Sequence, residues 1–497
     1  MRSPRPVVTF AGVVIVVAAG LGTLTAVRPE VVATDDPPRG RLPVSSAALV
    51  CPDPSALGAG SSTDVTFAAP RIAGTTSVPG DVAEAAGLDP ESPPRARLEA
   101  RGPVARFPVE RPDAEPVVIR ALGSLAPGLA ATQVTRATDV DAQGLAATTC
   151  SEAGTSAWFV GVGTEVGHRP RLYLVNPEQT PAELDVLLYG SGGEVDAPAA
   201  RNLVIPARGV VTFDLDALAP DLEQLAVQVL VRSGRVASSV RDYRIDGLTP
   251  LGLDWVPAAL GDAATRVVVP GISGGEGERL LHLLAPGTLD ARVQVRLLTA
   301  RGPIAAVGLE EIELTAGTVR SIALEDVTGG EPVAVELTSD QPVVAGTRVV
   351  VPLDAERAEM AYAGVAEPLA GTATATDVRT GPDASATLLL TADPETTTGP
   401  IGAVITFVDP TSGEVLATDR VTVPAGSTLA VPLATEDSQE LLAVTVLPSS
   451  AGLYGVLQLT EAVEGGSYLT LLPLRSPALD VEVPRVRYDL STGLRLG

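Results

Sequence analysis

The chain has 497 residues, 45% hydrophobic but only 3% aromatic, with 49 Gly, 43 Pro, two His, two Cys and no Lys; without a primary amine on a flexible stem, Schiff-base chemistry and a Walker-type phosphate lysine are excluded. Acidic residues number 60 against 35 basic ones, all Arg, and the net charge of −25, with no local basic stripe, repels phosphate polymers, so no nucleic-acid partner is expected. At this length the chain predicts about three to five domains, each able to bury a core.

Arg2 and Arg5 precede an uncharged run at residues 7–27 (VVTFAGVVIVVAAGLGTLTAV) that Arg28 and Pro29 close. At about 1.5 Å per helical residue this run reaches about 31 Å, the thickness of a bilayer's hydrocarbon core. It predicts a transmembrane helix or signal anchor, with residues 1–6 cytoplasmic and the rest extracytoplasmic. A cleaved signal peptide, and hence a secreted chain, is the alternative, but the small-residue cleavage positions after Ala19 or Ala26 are imperfect. Residues 28–44 are rich in Pro and charge and read as an extended stalk.

Cys51 and Cys150 are the only cysteines. Outside the cytoplasm an isolated pair is read as a disulfide, closing a loop of about 100 residues. Between them, short apolar runs such as Val65-Thr66-Phe67 and Val117-Val118-Ile119 alternate with Gly and Pro. An irregular, strand-rich N-terminal domain is expected over residues 45–157.

Beyond it the chain repeats. Leu172-Tyr173-Leu174-Val175-Asn176-Pro177 returns as Leu281-His282-Leu283-Leu284-Ala285-Pro286, and more loosely as Leu388-Leu389-Leu390-Thr391-Ala392-Asp393-Pro394. Ala226-Val227-Gln228-Val229, Ala334-Val335-Glu336-Leu337 and Ala443-Val444-Thr445-Val446 keep the same period of about 108 residues. Within each unit apolar and polar residues alternate, which places one strand face on a core and the other in water. The expectation is an all-β chain: three tandem immunoglobulin-like β-sandwiches at residues 158–262, 265–368 and 378–475, then a tail at 476–497.

Few residues suggest chemistry. His168 and His282 lack the neighbours that make histidine catalytic or metal-binding, and both are assigned structural roles. The Gly-rich stretch 161–167 has no following helix to bind a phosphate. Asp139-Val140-Asp141-Ala142-Gln143-Gly144 resembles the front of a calcium loop, but the acidic twelfth position falls on Cys150. No catalytic, cofactor-binding or metal-binding residue is assigned, although scattered carboxylates would permit a glycosidase pair. One ligand-binding set stands out: Trp158, Tyr189, Arg241, Tyr243 and Trp255 offer flat faces and donors for a sugar ring or a protein partner. Packing within the sandwich is the preferred alternative, and Arg241 and Arg348, 107 residues apart, read as architectural.

The anchor, the cysteine-bounded first domain and the passage from Thr149-Cys150 through Ala157-Trp158-Phe159-Val160-Gly161 into Leu172-Tyr173-Leu174-Val175-Asn176-Pro177 resemble an actinobacterial family of secreted or membrane-anchored proteins known only as a domain of unknown function. The resemblance implies genes that often lie near those of cell-envelope glycosyltransferases, and hence a role at the envelope, and carries no catalytic residues. The expected function is a non-enzymatic, membrane-anchored column of sandwiches that scaffolds or binds envelope proteins or glycans, with no cofactor. A cell-wall-glycan-binding protein is the alternative, and a carboxylate-dependent glycan hydrolase a weaker one.

Overall fold

A computed structural model describes residues 40–483 apart from 54–60, 90, 110–114, 140–141, 248, 261, 355–356, 397–398 and 435–440. The expected membrane segment, most of the stalk and the end of the tail lie outside the described residues, as does the middle of the calcium-like stretch. Among the described residues no helix is long and apolar enough to cross a membrane.

The period-two pattern produces strands throughout. Ala291–Thr299 buries Val293, Val295 and Leu297 while Arg292 and Gln294 face solvent. In the first repeat, eight main strands follow in order: Ser156–Val162, Arg171–Val175, Ala182–Gly190, Gly193–Val195, Val210–Asp214, Leu225–Ser233, Ala237–Asp246 and Thr249–Val256; two short ones, Leu203–Ile205 on the third and Ala259–Leu260 on the first, add to one sheet. One sheet runs first, sixth, third, fourth; the facing sheet runs fifth, second, seventh, eighth. The third repeat, from Ala373–Arg379 to Gly466–Pro473, has the same neighbours in both sheets. In the second repeat the sixth and seventh strands are one 20-residue strand, Val333–Pro352, which passes from one sheet into the other.

The region expected to be irregular is a fourth copy. From Ser46–Cys51 to Ala142–Thr149 it has eight strands in the same two orders. Its third and fourth strands, Ala83–Ala86 and Ala96–Leu98, are short and alanine-rich, so they leave little periodic signal. Cys51 and Cys150, both buried, form a disulfide that ties the end of the first strand to the residue after the eighth.

The four modules form a cycle, not the expected column, and residues 43–479 are one unit. The first strand of each module packs on the second and seventh strands of the next. Ser156–Val162 lies on Glu278–Leu284 and Val333–Pro352, Ala264–Ile272 on Ala384–Ala392 and Leu453–Val463, and Ala373–Arg379 returns to Ser61–Ala68 and Ala130–Asp139. Val50, in the first strand of the N-terminal module, packs with Val175 and Ala237 of the first repeat. The eighth strands, Ala142–Thr149, Thr249–Val256, Ala358–Gly364 and Gly466–Pro473, meet in the middle, each touching at least two of the others.

Close approach at these joints constrains the sequence. At Gly161 (φ +110°) the first strand of the first repeat bulges, and an added Cβ would stand 2.8 Å from Cδ2 of His282. Only glycine combines that backbone conformation with that clearance.

Gly40–Pro43 pairs with Asp480–Val483 in a two-stranded ribbon, which apart from Pro43 belongs to the other unit.

Candidate functional site

Many buried ionisable side chains lie where modules meet, whereas Arg101 and Arg279 bond carbonyls of their own modules. Each eighth strand is the edge of its sheet, so its outward N–H groups need acceptors that no further strand supplies. Asp254 and Glu359, neither of them exposed to solvent, provide them. Asp254 accepts from the N–H groups of Trp255 (2.8 Å) and Ala147 (3.2 Å) and from Oγ1 of Thr470 (3.0 Å). Glu359 accepts from the N–H groups of Met360 (3.0 Å) and Leu145 (3.3 Å). Each carboxyl thereby links strands of different modules. Burial holds both well above the usual carboxylate range, and for Glu359 the neighbouring Asp254 adds to the rise.

Between the first and second repeats, His282 shares a 2.6 Å hydrogen bond with Oγ of Ser321 through Nδ1. Burial, followed by the charges of Arg348 and Arg244, lowers its pKa to about 3. His168 is lowered to about 3 by burial and the same two arginines. Both imidazoles are therefore neutral at pH 7 and far too weak as bases for proton transfer there. Tyr362 donates to Asp242 at 2.6 Å, and burial raises the pKa of that carboxyl. Arg348 reaches Glu278 at 3.2 Å.

The remaining joints use arginine forks. Arg266 spans Glu336 (2.6 Å) and Asp393 (2.5 Å), and Arg296 spans Glu336 (2.6 Å) and Glu395 (3.0 Å). At the seam between the last and first modules, Arg379 holds Asp377 at 2.8 Å and Asp64 at 3.3 Å. Planar guanidinium groups suit such paired carboxylates better than an ammonium would.

The proposed ligand set falls into two of these joints. Trp158 and Tyr189, 3% and 7% exposed, have ring centroids 5.9 Å apart and pack with Leu284 and Val344 of the second repeat. Trp255 and Tyr243 pack with Ala137 and Ala146 of the N-terminal module. Arg241, also buried, stands 5.9 Å over the ring of Tyr173, and burial lowers its pKa. None of these five forms part of an exposed strip, so the geometry a sugar ring requires is not presented there. Asp254, Glu359 and Arg379 escaped the sequence reading. Their one signal is a charge set in an apolar strand, as in Leu253-Asp254-Trp255-Val256.

Fold and joints together define an all-β repeat protein whose buried ionisable residues hold its own modules to one another. The chain belongs to the family of unknown function DUF5719, whose profile matches residues 108–434, in agreement with the resemblance read from the sequence. No curated protein matches it. Among solved structures, the crystal structure of Thermotoga maritima 1070 is similar at 15% identity, over 21% of this chain and 95% of that one, with a TM-score of 0.18.

Proposed function

We propose that the protein is a non-enzymatic scaffold of the cell envelope, anchored by residues 7–27 and holding its modules, immunoglobulin-like sandwiches with exchanged outer strands, on the extracytoplasmic side. In an immunoglobulin sandwich the first strand joins the second and the last joins the sixth; here the first joins the sixth and the seventh joins the second. The observation that carries the reading is the use of buried charge: carboxyls and arginines bond across modules, and His282 sits against Gly161 of the neighbouring one. Such joints keep four outer surfaces in fixed relation, which is what a platform for envelope partners needs. The Cys51–Cys150 bridge supports an oxidising compartment.

Fractionation of cells making the full chain tests this. The expected result is a carbonate-resistant membrane protein, open to external protease and oxidised at Cys51–Cys150, whose version starting at residue 40 is released as a folded soluble protein. A full chain found in the cytoplasm with both thiols free would overturn the proposal. So would release of sugars from envelope glycan by the purified extracytoplasmic region.

A further inference from the structure

Where the four central strands end, the chain leaves through residues 150–152, 257–258, 365–370 and 474–478. These segments help to enclose a cavity of about 340 Å³. Its walls are largely aliphatic, with Leu49, Leu129, Leu457, Leu472 and Leu474 among them, and among the described residues Arg475 is the one basic side chain that lines it. The acids on the lining, Glu152 and Glu367, are both exposed. Arg475 donates one hydrogen bond, from Nη2 to the carbonyl of Ala258 at 2.8 Å. None of its other donors is sealed in protein without a partner, so they are available to a guest. Glu367 acts on it through charge, without a hydrogen bond. A smaller cavity of about 30 Å³ shares Arg475 and is also lined by Trp255, whose buried indole N–H has no acceptor.

Size and polarity narrow the guest. An apolar cavity of about 150 Å³ holds benzene, so this one accommodates roughly a dozen heavy atoms. A mostly apolar pocket with one well-placed cation selects an apolar body with a single anionic end. The net charge of −25 opposes an anion only at long range, where salt screens beyond about 8 Å. We propose that this cavity is a binding site for a single-chain aliphatic carboxylate of roughly ten carbons, its carboxylate on Arg475 and its chain among the leucines. All four modules contribute to the lining, so the site exists only in the closed cycle. It goes beyond the scaffold reading, which concerns location and assembly and stands or falls on fractionation.

Decanoate and 1-decanol, which share a chain and differ in the charged end, are the probes. In the full chain carrying Trp158→Phe, Trp255 is the sole tryptophan and reports from the smaller cavity that shares Arg475; calorimetry measures binding itself and its stoichiometry. The expected result is saturable binding of one decanoate, at least tenfold weaker binding of decanol, and a similar loss for decanoate in Arg475→Gln. Ala366→Phe, which puts a ring into the lining, is expected to abolish binding without lowering the melting temperature by more than a few degrees. No saturable decanoate binding, or equal affinity for decanoate and decanol, would overturn the assignment. The comparison of the two probes on the otherwise unaltered site decides the matter even where Arg475→Gln fails to fold.

Discussion

The hydroxyl of Thr66 lies 2.8 Å from that of Thr376, 310 residues further along the chain. Both residues are buried, and Thr376 also reaches Oγ1 of Thr132 at 3.1 Å. In a column of modules the first strand of the last repeat would have no successor to pack against. Here the N-terminal module takes that place, and three threonines supply one another's hydrogen bonds across a seam that would otherwise bury unpaired hydroxyls.

Arg379 is the charged counterpart of that seam. It meets Asp377, 1% exposed, with two N–H groups at 2.8 and 3.0 Å. Arg379→Ala leaves that carboxylate buried without a cation, and the expected loss of stability is about 3 kcal/mol. Arg379→Lys is expected to recover only part of it, because an ammonium cannot form the fork. Urea unfolding of the two variants measures both effects; a loss below about 0.5 kcal/mol for the alanine variant would show that Arg379, which also reaches Asp64 across the seam, does not hold it.

The histidines set the acid side of the stability profile. Each is near pH 6.5 when unfolded and lowered to about 3 when folded. Below pH 6.5 the unfolded chain therefore binds protons that the folded chain refuses, and stability falls as pH drops toward 3. The slope is about 1.4 kcal/mol per pH unit for each histidine. His282→Gln is expected to remove one such contribution between pH 6 and 4. Chemical denaturation across that range checks it, and an unchanged slope would place His282 in solvent-like surroundings.

Asp254 and Glu359 act in the opposite direction. Their folded pKa values are raised, so the folded chain retains protons that the unfolded chain loses above the ordinary carboxylate range. Stability is complete below that range and declines as pH rises through it. The double variant Asp254→Asn/Glu359→Gln cannot ionise there, and its melting temperature is expected to fall less steeply than that of the natural chain between pH 5 and 9. Parallel curves would mean that these carboxyls are as easily ionised in the folded state as in the unfolded one.

Much of the fold was legible in the sequence, because Leu172, Leu281 and Leu388 lie in strands that recur at one period and run into turns that carry Pro. The fourth copy was harder to see. Val65 stands 107 residues before Leu172, and Val118 stands 108 before Ala226, but the alanine-rich strands between them carry little hydrophobic contrast. The site was less legible still. Trp158 and Trp255 drew attention as surface binders because a sequence shows which rings exist and not which neighbouring module covers them. Asp254 and Glu359 look like solvent-facing positions of alternating strands; their burial depends on four edges meeting, a non-local fact that period-two reading does not contain.

Replacing Thr66 and Thr376 with cysteine asks directly whether the first and last modules meet. In the oxidised double variant a second disulfide should form within one chain, seen as a cross-linked peptide pair by mass spectrometry beside an intact Cys51–Cys150 bridge, and absent from either single variant. Thiols that stay free, or that pair only between separate chains, would contradict the closed four-module cycle.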